Sequence, residues 1–250
     1  MKKTAIVLAM MAAAPLSAHA DLLFTLGAKA SVWNADPSGQ LDDGVSVDDD
    51  LQIKSENGQQ ITVFFEHPIP FIPNVRIKQT NLELNGSGTV DISFLDTRFD
   101  NETVDSTLDL SHTDLTLYWG LPLPIPFFDF NFGLTARQFD GMAEVRSTTE
   151  NKTASQDLDF VVPMGFAEVK VSTPFGIYAN ADINYIGMSG NKLSDVSYGV
   201  GYDLPIPVVD LGIEAGYRAI NLNTDEDLAD INTDVKISGM YYGAAFSVGF

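Results

Sequence analysis

The chain has 250 residues, a formal charge of −20 and no cysteine. The acidic balance excludes a phosphate-binding nucleic-acid partner, which needs basic patches, and the missing cysteine excludes disulfides and a lipid-modified N-terminal cysteine. Hydrophobic residues make up 45 % of the chain, which fits a soluble exported β-protein and a transmembrane barrel equally well, because a barrel disperses its apolar residues by alternation.

Residues 1–20 read as a secretory signal. Lys2 and Lys3 open it, Ala5 to Pro15 is apolar, and Ala18-His19-Ala20 is a small-x-small cleavage site. The apolar run is too short to span a bilayer as a helix. Removal would leave Asp21 to Phe250 as a single domain with a formal charge of −22.

The mature part alternates with a period of two, the signature of strands with one apolar face. Leu22, Phe24, Leu26, Ala28, Ala30 and Val32 share one face of the first segment. In 128–137, Phe128, Phe130, Phe132, Leu134 and Ala136 alternate with Asp129, Asn131, Gly133, Thr135 and Arg137. Similar runs cover 177–185, 196–202 and 209–219. The longer ones reach the nine to eleven residues that a tilted strand needs to cross a bilayer.

Proline clusters punctuate these runs at 67–74, 121–129, 172–176 and 203–210. Proline cannot donate to a ladder, so each cluster ends pairing and forces a turn. The other connections, roughly 34–58, 85–106, 141–156, 189–193 and 222–233, are polar. Short turns on one side and long polar loops on the other predict an up-and-down antiparallel transmembrane β-barrel. The expected strands are 22–33, 59–66, 75–84, 107–119, 127–139, 158–171, 176–188, 194–203, 208–221 and 234–250. Ten counts the turn signals, and eight or twelve would also fit. The phase slips after Ile77 and between Leu110 and Leu115, which indicates a bulge or a strand end outside the membrane. Segment 86–96 reads as a loop or as a hairpin extended above the bilayer.

At the C-terminus, Tyr242, Ala244, Phe246, Val248 and Phe250 alternate with Gly243, Ala245, Ser247 and Gly249. A terminal aromatic after alternating apolar residues resembles the recognition signal of Gram-negative outer-membrane barrels. The signal would lie in Tyr242, Phe246, Val248 and Phe250. With the Pro-x-Pro turns, the whole mature chain resembles a family of small outer-membrane barrel proteins that has no assigned activity. That resemblance implies residence in the outer membrane, contact with its lipid and lipopolysaccharide, and handling by the barrel-assembly machinery.

Aromatic residues beside the proline turns (among them Phe64, Phe65, Phe71, Tyr118, Trp119 and Phe127) would form a girdle at the headgroup level. Trp33, Tyr185, Tyr217 and Tyr241 are candidates for the opposite girdle. The inward face would carry Lys29, Arg137, Asp182, Glu214 and Arg218, with Arg76, Lys78, Glu168 and Lys170. In a barrel this narrow they would pair across the lumen and fill it. The first reading is a structural or interaction barrel with acidic outer loops and a largely plugged lumen. A narrow channel for ions or small solutes is the second.

Asp42, Asp43, Asp48, Asp49 and Asp50 are weak metal-ligand candidates, since carboxylates suit Ca²⁺ or Mg²⁺. Asp225, Glu226, Asp227 and Asp230 form a second acidic loop. Neither has EF-hand spacing. Only Ser111-His112-Thr113-Asp114 suggests catalysis. Strand neighbours point to opposite faces, so Ser111 and His112 would not meet, whereas His112 and Asp114 share one face. A rim-sited lipid- or peptide-modifying enzyme is the third reading. No catalytic residue and no cofactor is expected.

Overall fold

The computed structural model describes residues 24–41, 44–122, 124–188, 191–204, 206, 209–224 and 233–249. The expected signal peptide, Leu22, Asp42, Asp43, the acidic loop at 225–230 and Phe250 lie outside the described residues. Fifteen strands follow one another: β1 Thr25–Leu41, β2 Val45–Ser46, β3 Glu56–Glu66, β4 Asn74–Asn81, β5 Glu83–Phe94, β6 Thr97–Asp109, β7 His112–Leu121, β8 Phe128–Phe139, β9 Gly141–Ser147, β10 Thr153–Leu158, β11 Val161–Ser172, β12 Ile177–Met188, β13 Asn191–Leu204, β14 Val209–Thr224 and β15 Thr233–Gly249.

Ten of them close into an antiparallel barrel in the order β1-β3-β4-β7-β8-β11-β12-β13-β14-β15. The last strand pairs with the first, Ala28 opposite Phe246 and Trp33 opposite Tyr241. Closure removes both sheet edges, which a spanning sheet requires because hydrocarbon cannot hydrogen-bond to them.

Across β13, β14, β15 and β1 the outer surface changes polarity at one level while the strand parity is unchanged. On β1 the outward residues run Leu26, Ala28, Ala30, Val32 and then Asn34, Asp36, Ser38. On β13 they run Tyr202, Val200, Tyr198, Val196 and then Ser194, Lys192. β14 passes from Ala219 to Asn221 and β15 from Met240 to Ser238. These switch points adjoin in register, with Val196 opposite Ala219 and Ala219 opposite Ser238. The inward face changes in the opposite sense at nearly the same level. Ser31 gives way to Trp33 and Ala35, Arg218 to Ile220, and Asp195 to Leu193. Below the switch the barrel is apolar outside and polar inside. Above it, the barrel has an ordinary protein core and a wettable skin. On β14 the apolar band from Val209 to Ala219 spans roughly 33 Å of strand, or roughly 25 Å of height at a tilt of about 40°.

The apparent phase slips near Ile77 and between Leu110 and Leu115 are this inversion. β4 and β7 pair without a break from Asn74–Tyr118 to Thr80–His112. The strands leave the apolar band there, and no bulge occurs between them. A bulge does occur higher up, between Val90 and Ile92.

The hairpin reading of 86–96 holds, within the β5–β6 hairpin, and the expected loop at 141–156 is a hairpin as well. β5–β6 and β9–β10 join through β6–β9 into a second, four-stranded sheet above the barrel. Its inner face carries Leu84, Val90, Phe94, Phe99, Val104, Leu108, Ala143 and Val145, all buried. The start of the expected 34–58 loop continues β1 to Leu41, and its later part folds under this sheet. Val47, Leu51 and Ile53 join the same cluster as Trp33, Ile220 and Ile237. Glu102 is buried on the sheet's inner side, 2.5 Å from the Lys152 ammonium. That hydrogen bond holds the Glu102 carboxyl below its ordinary value of 4.5 and raises Lys152 above 10.5. The carboxylate's contribution is therefore complete above 4.5 and lost as pH falls through its lowered value. The ammonium's contribution is complete below 10.5 and lost at higher pH. Amide exchange at the tip of β6, corrected for intrinsic pH effects, should be flat between these limits and accelerate on either side.

The turns at 67–74, 121–129 and 172–176 link the strands at the opposite end; Pro205, Pro207 and Val208 of the fourth cluster lie outside the described residues. Phe71 and Phe127 both have left-handed backbones, φ 69° and 65°, which is unusual for bulky residues. The Phe71 ring is almost fully exposed, and its carbonyl accepts a bond of 3.2 Å from the outward-facing Trp119 indole. This turn therefore leans against the barrel's outer wall. Four assignments to the girdles need correction. Phe64 faces the lumen, and Tyr118, Trp33 and Tyr241 are buried inward. Period two places each on the lumenal side of its strand, so proximity in sequence to a turn was the wrong guide.

Candidate functional site: a charged layer and the chamber beneath it

At the level of the inversion, five strands send polar side chains to the barrel axis. Arg137 on β8 grips Asp114 on β7 with two bonds, Nε at 2.7 Å and Nη2 at 2.8 Å. Its Nη2 also reaches across the lumen to Asp195 on β13, at 2.5 Å. Arg218 on β14 returns to Asp195 through Nε at 2.9 Å and Nη2 at 2.7 Å, and to Thr80 on β4 at 3.2 Å. Arg137, Asp114, Asp195 and Arg218 are at most 1 % exposed. The Trp33 ring lies 4.8 Å from the Arg218 guanidinium carbon. Planar guanidinium groups suit this position because each can serve two carboxylates in a fixed fork.

His112 completes the layer. Its Nδ1 lies 2.7 Å from the Leu110 carbonyl and its Nε2 3.3 Å from Arg218 Nη2. A carbonyl can only accept and a guanidinium can only donate, so Nδ1 carries the proton and Nε2 accepts. His112 and Asp114 do share a face, as strand parity requires. They are sealed within the ion-pair layer, away from the outer rim. The ligand atoms of His112, Asp114 and Asp195 lie within 4.8 Å of one another, but two guanidinium groups already bond to them, so the set does not fit a metal ion.

Below the layer lies a chamber of about 750 Å³ that reaches the strand ends carrying the short turns. Lys29, Asp182, Glu214 and Arg218 line it, whereas Arg137 is buried just above. Lys29 sits 3.6 Å from Glu214. Arg76 bonds Glu168 at 2.7 Å, and Asn131 donates to the same oxygen at 3.0 Å. Asp182 accepts from the Ser197 hydroxyl. Lys78 sits 3.9 and 3.8 Å from Asp114 and Asp195 at the chamber's ceiling. These pairs line the wall and leave the lower lumen open, contrary to the expectation that they would fill it.

Asp195 lies one residue before the cleanly alternating run at 196–202. It has the same inward phase as Ser197 and Gly199, and that signal would have found it. Of the acidic metal candidates, Asp50 accepts from the Ser46 amide and Asp48 from the Ser46 hydroxyl, each at 2.8 Å, so both shape their own turn, while Asp49 is exposed. Tyr242 and Phe246 face outward and are exposed, with Val248 half-buried on the same side.

No protein-family description matches the chain, and no curated protein matches it by sequence. Among solved structures, the translocator domain of the autotransporter NalP from Neisseria meningitidis superposes with a TM-score of 0.52 at 11 % identity, covering 100 % of this chain and 98 % of that one. The transport unit of the autotransporter AIDA-I from Escherichia coli gives 0.42 at 10 % identity, covering 94 % and 92 %. Neisserial surface protein A gives 0.31 at 15 % identity, covering 91 % and 97 %. The chain has the fold of an outer-membrane β-barrel. The likeness to the NalP translocator, at 11 % identity, speaks for the fold alone.

Proposed function

We propose that the protein is an integral barrel of the bacterial outer membrane that holds a rigid acidic β-sheet above the membrane, with its lumen sealed at the outer end. The polarity inversion carries this reading. One continuous barrel wall has an apolar exterior up to the level of Val32, Val196, Ala219 and Met240, and a polar exterior beyond it. A soluble sandwich has no reason to switch sense at one height on four adjoining strands.

Sealing is supported by two successive barriers. The ion-pair layer crosses the lumen, and the apolar cluster under the four-stranded sheet lies directly above it. A water-filled path would have to open both. The exposed side of the sheet is acidic, with Glu83, Asp91, Asp105 and Glu144 facing out. Such a surface suits a structural or interaction role better than conduction or catalysis. Lipopolysaccharide and the assembly machinery are the expected surroundings during and after insertion.

The native chain lacks cysteine, so one introduced thiol reports cleanly. Ser87→Cys on the outward face of β5 should react with a membrane-impermeant maleimide on intact cells, and the refolded protein should be electrically silent in a planar bilayer. Protection of that thiol on intact cells would reject the orientation, and discrete single-channel steps would reject the seal.

A further inference from the structure

The open lower lumen needs an occupant class of its own, because its wall chemistry is lopsided. Lys29, Arg76 and Lys170 are paired with Glu214, Glu168 and Asp203. Glu66, Asp129, Asp182 and Asp210 have no cation within 4.0 Å among the described residues. Their wall contacts are with hydroxyls where they have any: Tyr118 for Glu66, Ser197 for Asp182 and Ser247 for Asp210. Asn180 lies two residues from Asp182 on the same inward face of β12, and its side-chain oxygen has no hydrogen-bond partner among the described residues.

Aromatic faces supply the second half of the chemistry. Rings lie against the wall where a neighbouring strand has glycine. A Cβ at Gly27 would overlap the Phe64 ring, and one at Gly201 the Tyr178 ring. These glycines keep the rings flat and the lumen clear. The protein's own cations already use such faces, with the Lys170 ammonium 4.1 Å from the Tyr178 centroid and the Arg76 guanidinium 4.9 Å from that of Tyr118. Carboxylates without cations, beside the Phe64 ring that lines the chamber, attract organic ammonium ions and repel anions. The chamber's volume is within the usual range for small-molecule sites.

We infer that the chamber is a binding site for a small organic ammonium ion entering from the short-turn end, with Asp182 as the deep anionic anchor and Asp129 at the mouth. That the mouth faces the periplasm rests on the proposed membrane orientation, but the binding itself does not. The test is calorimetric titration of the refolded full barrel in detergent with 1,4-diaminobutane, and with acetate as the anionic control. The diamine should bind and acetate should not. Asp182→Asn, nearly isosteric, and Asp129→Asn, at an exposed position, should each weaken binding at least about tenfold. Asp105→Asn on the outer sheet should leave it unchanged. Heat-modifiable mobility would confirm that each variant is folded. Equal behaviour of diamine and acetate, or unchanged binding in both chamber variants, would overturn the inference. Because the titration is done in detergent, its failure is separate from a failure of the membrane orientation or the seal.

Discussion

Replacing Arg137 with methionine should destabilise the refolded barrel by about 3–5 kcal/mol, the range expected when one member of a buried ion network is removed. The loss follows from the geometry. Asp114 has two bonds shorter than 3 Å in the layer, and both come from Arg137. Its next cation, Lys78, is 3.9 Å away. Without the guanidinium the carboxylate stays buried and poorly compensated. Arg137→Lys should fall between, because one ammonium keeps the charge but cannot serve Asp114 through a fork and Asp195 as well. Adding Asp114→Asn to Arg137→Met should recover part of the loss. Urea unfolding in detergent, followed by heat-modifiable mobility, reads all four proteins. If Arg137→Met matched the native chain, the layer would have no part in holding β8 to β13.

The second large effect concerns the outer wall. Val200→Arg should cost about 2–4 kcal/mol in lipid, and Ser194→Arg about 0–1 kcal/mol. The two positions share β13 and its outward face, six residues apart. Val200 is 61 % exposed near the middle of the apolar band, and Ser194 is the first polar residue beyond it. In water the two substitutions would be nearly equivalent, since each would add an arginine to an accessible surface. The difference arises only if hydrocarbon covers one site and water reaches the other. Equal stabilities of the two variants in liposomes would remove the assigned boundary.

Strand number and closure were legible in the sequence because period two is a local signal. Phe128 to Ala136 and Val209 to Ala219 show their lipid face by alternation alone. The hairpins at 85–106 and 141–156 were harder to read because their alternation has the reverse sense. Leu82 and Leu84 are inward, as Arg76 and Lys78 are, and only the identity of the solvent outside has changed. A reader who expects one hydrophobic sense along a strand sees a slip in phase where there is a change of medium. Within the site, inward polar positions could be named strand by strand, and Lys29, Asp182, Glu214 and Arg218 do line the chamber. Which of them meet depends on register across non-neighbouring strands. The Arg137–Asp195 contact spans the lumen between β8 and β13, and no local pattern encodes that approach.

The apolar band is the claim on which the rest depends. A scan of single cysteines along the outward face of β13, at 192, 194, 196, 198, 200 and 202, would test it most directly once each carries a nitroxide and the barrel is in liposomes. Relaxation by oxygen should dominate at 196 through 202, and relaxation by a water-soluble nickel chelate should dominate at 192 and 194. Nickel access along the whole series would contradict a lipid-covered wall, as would labels immobilised against protein at 198 and 200.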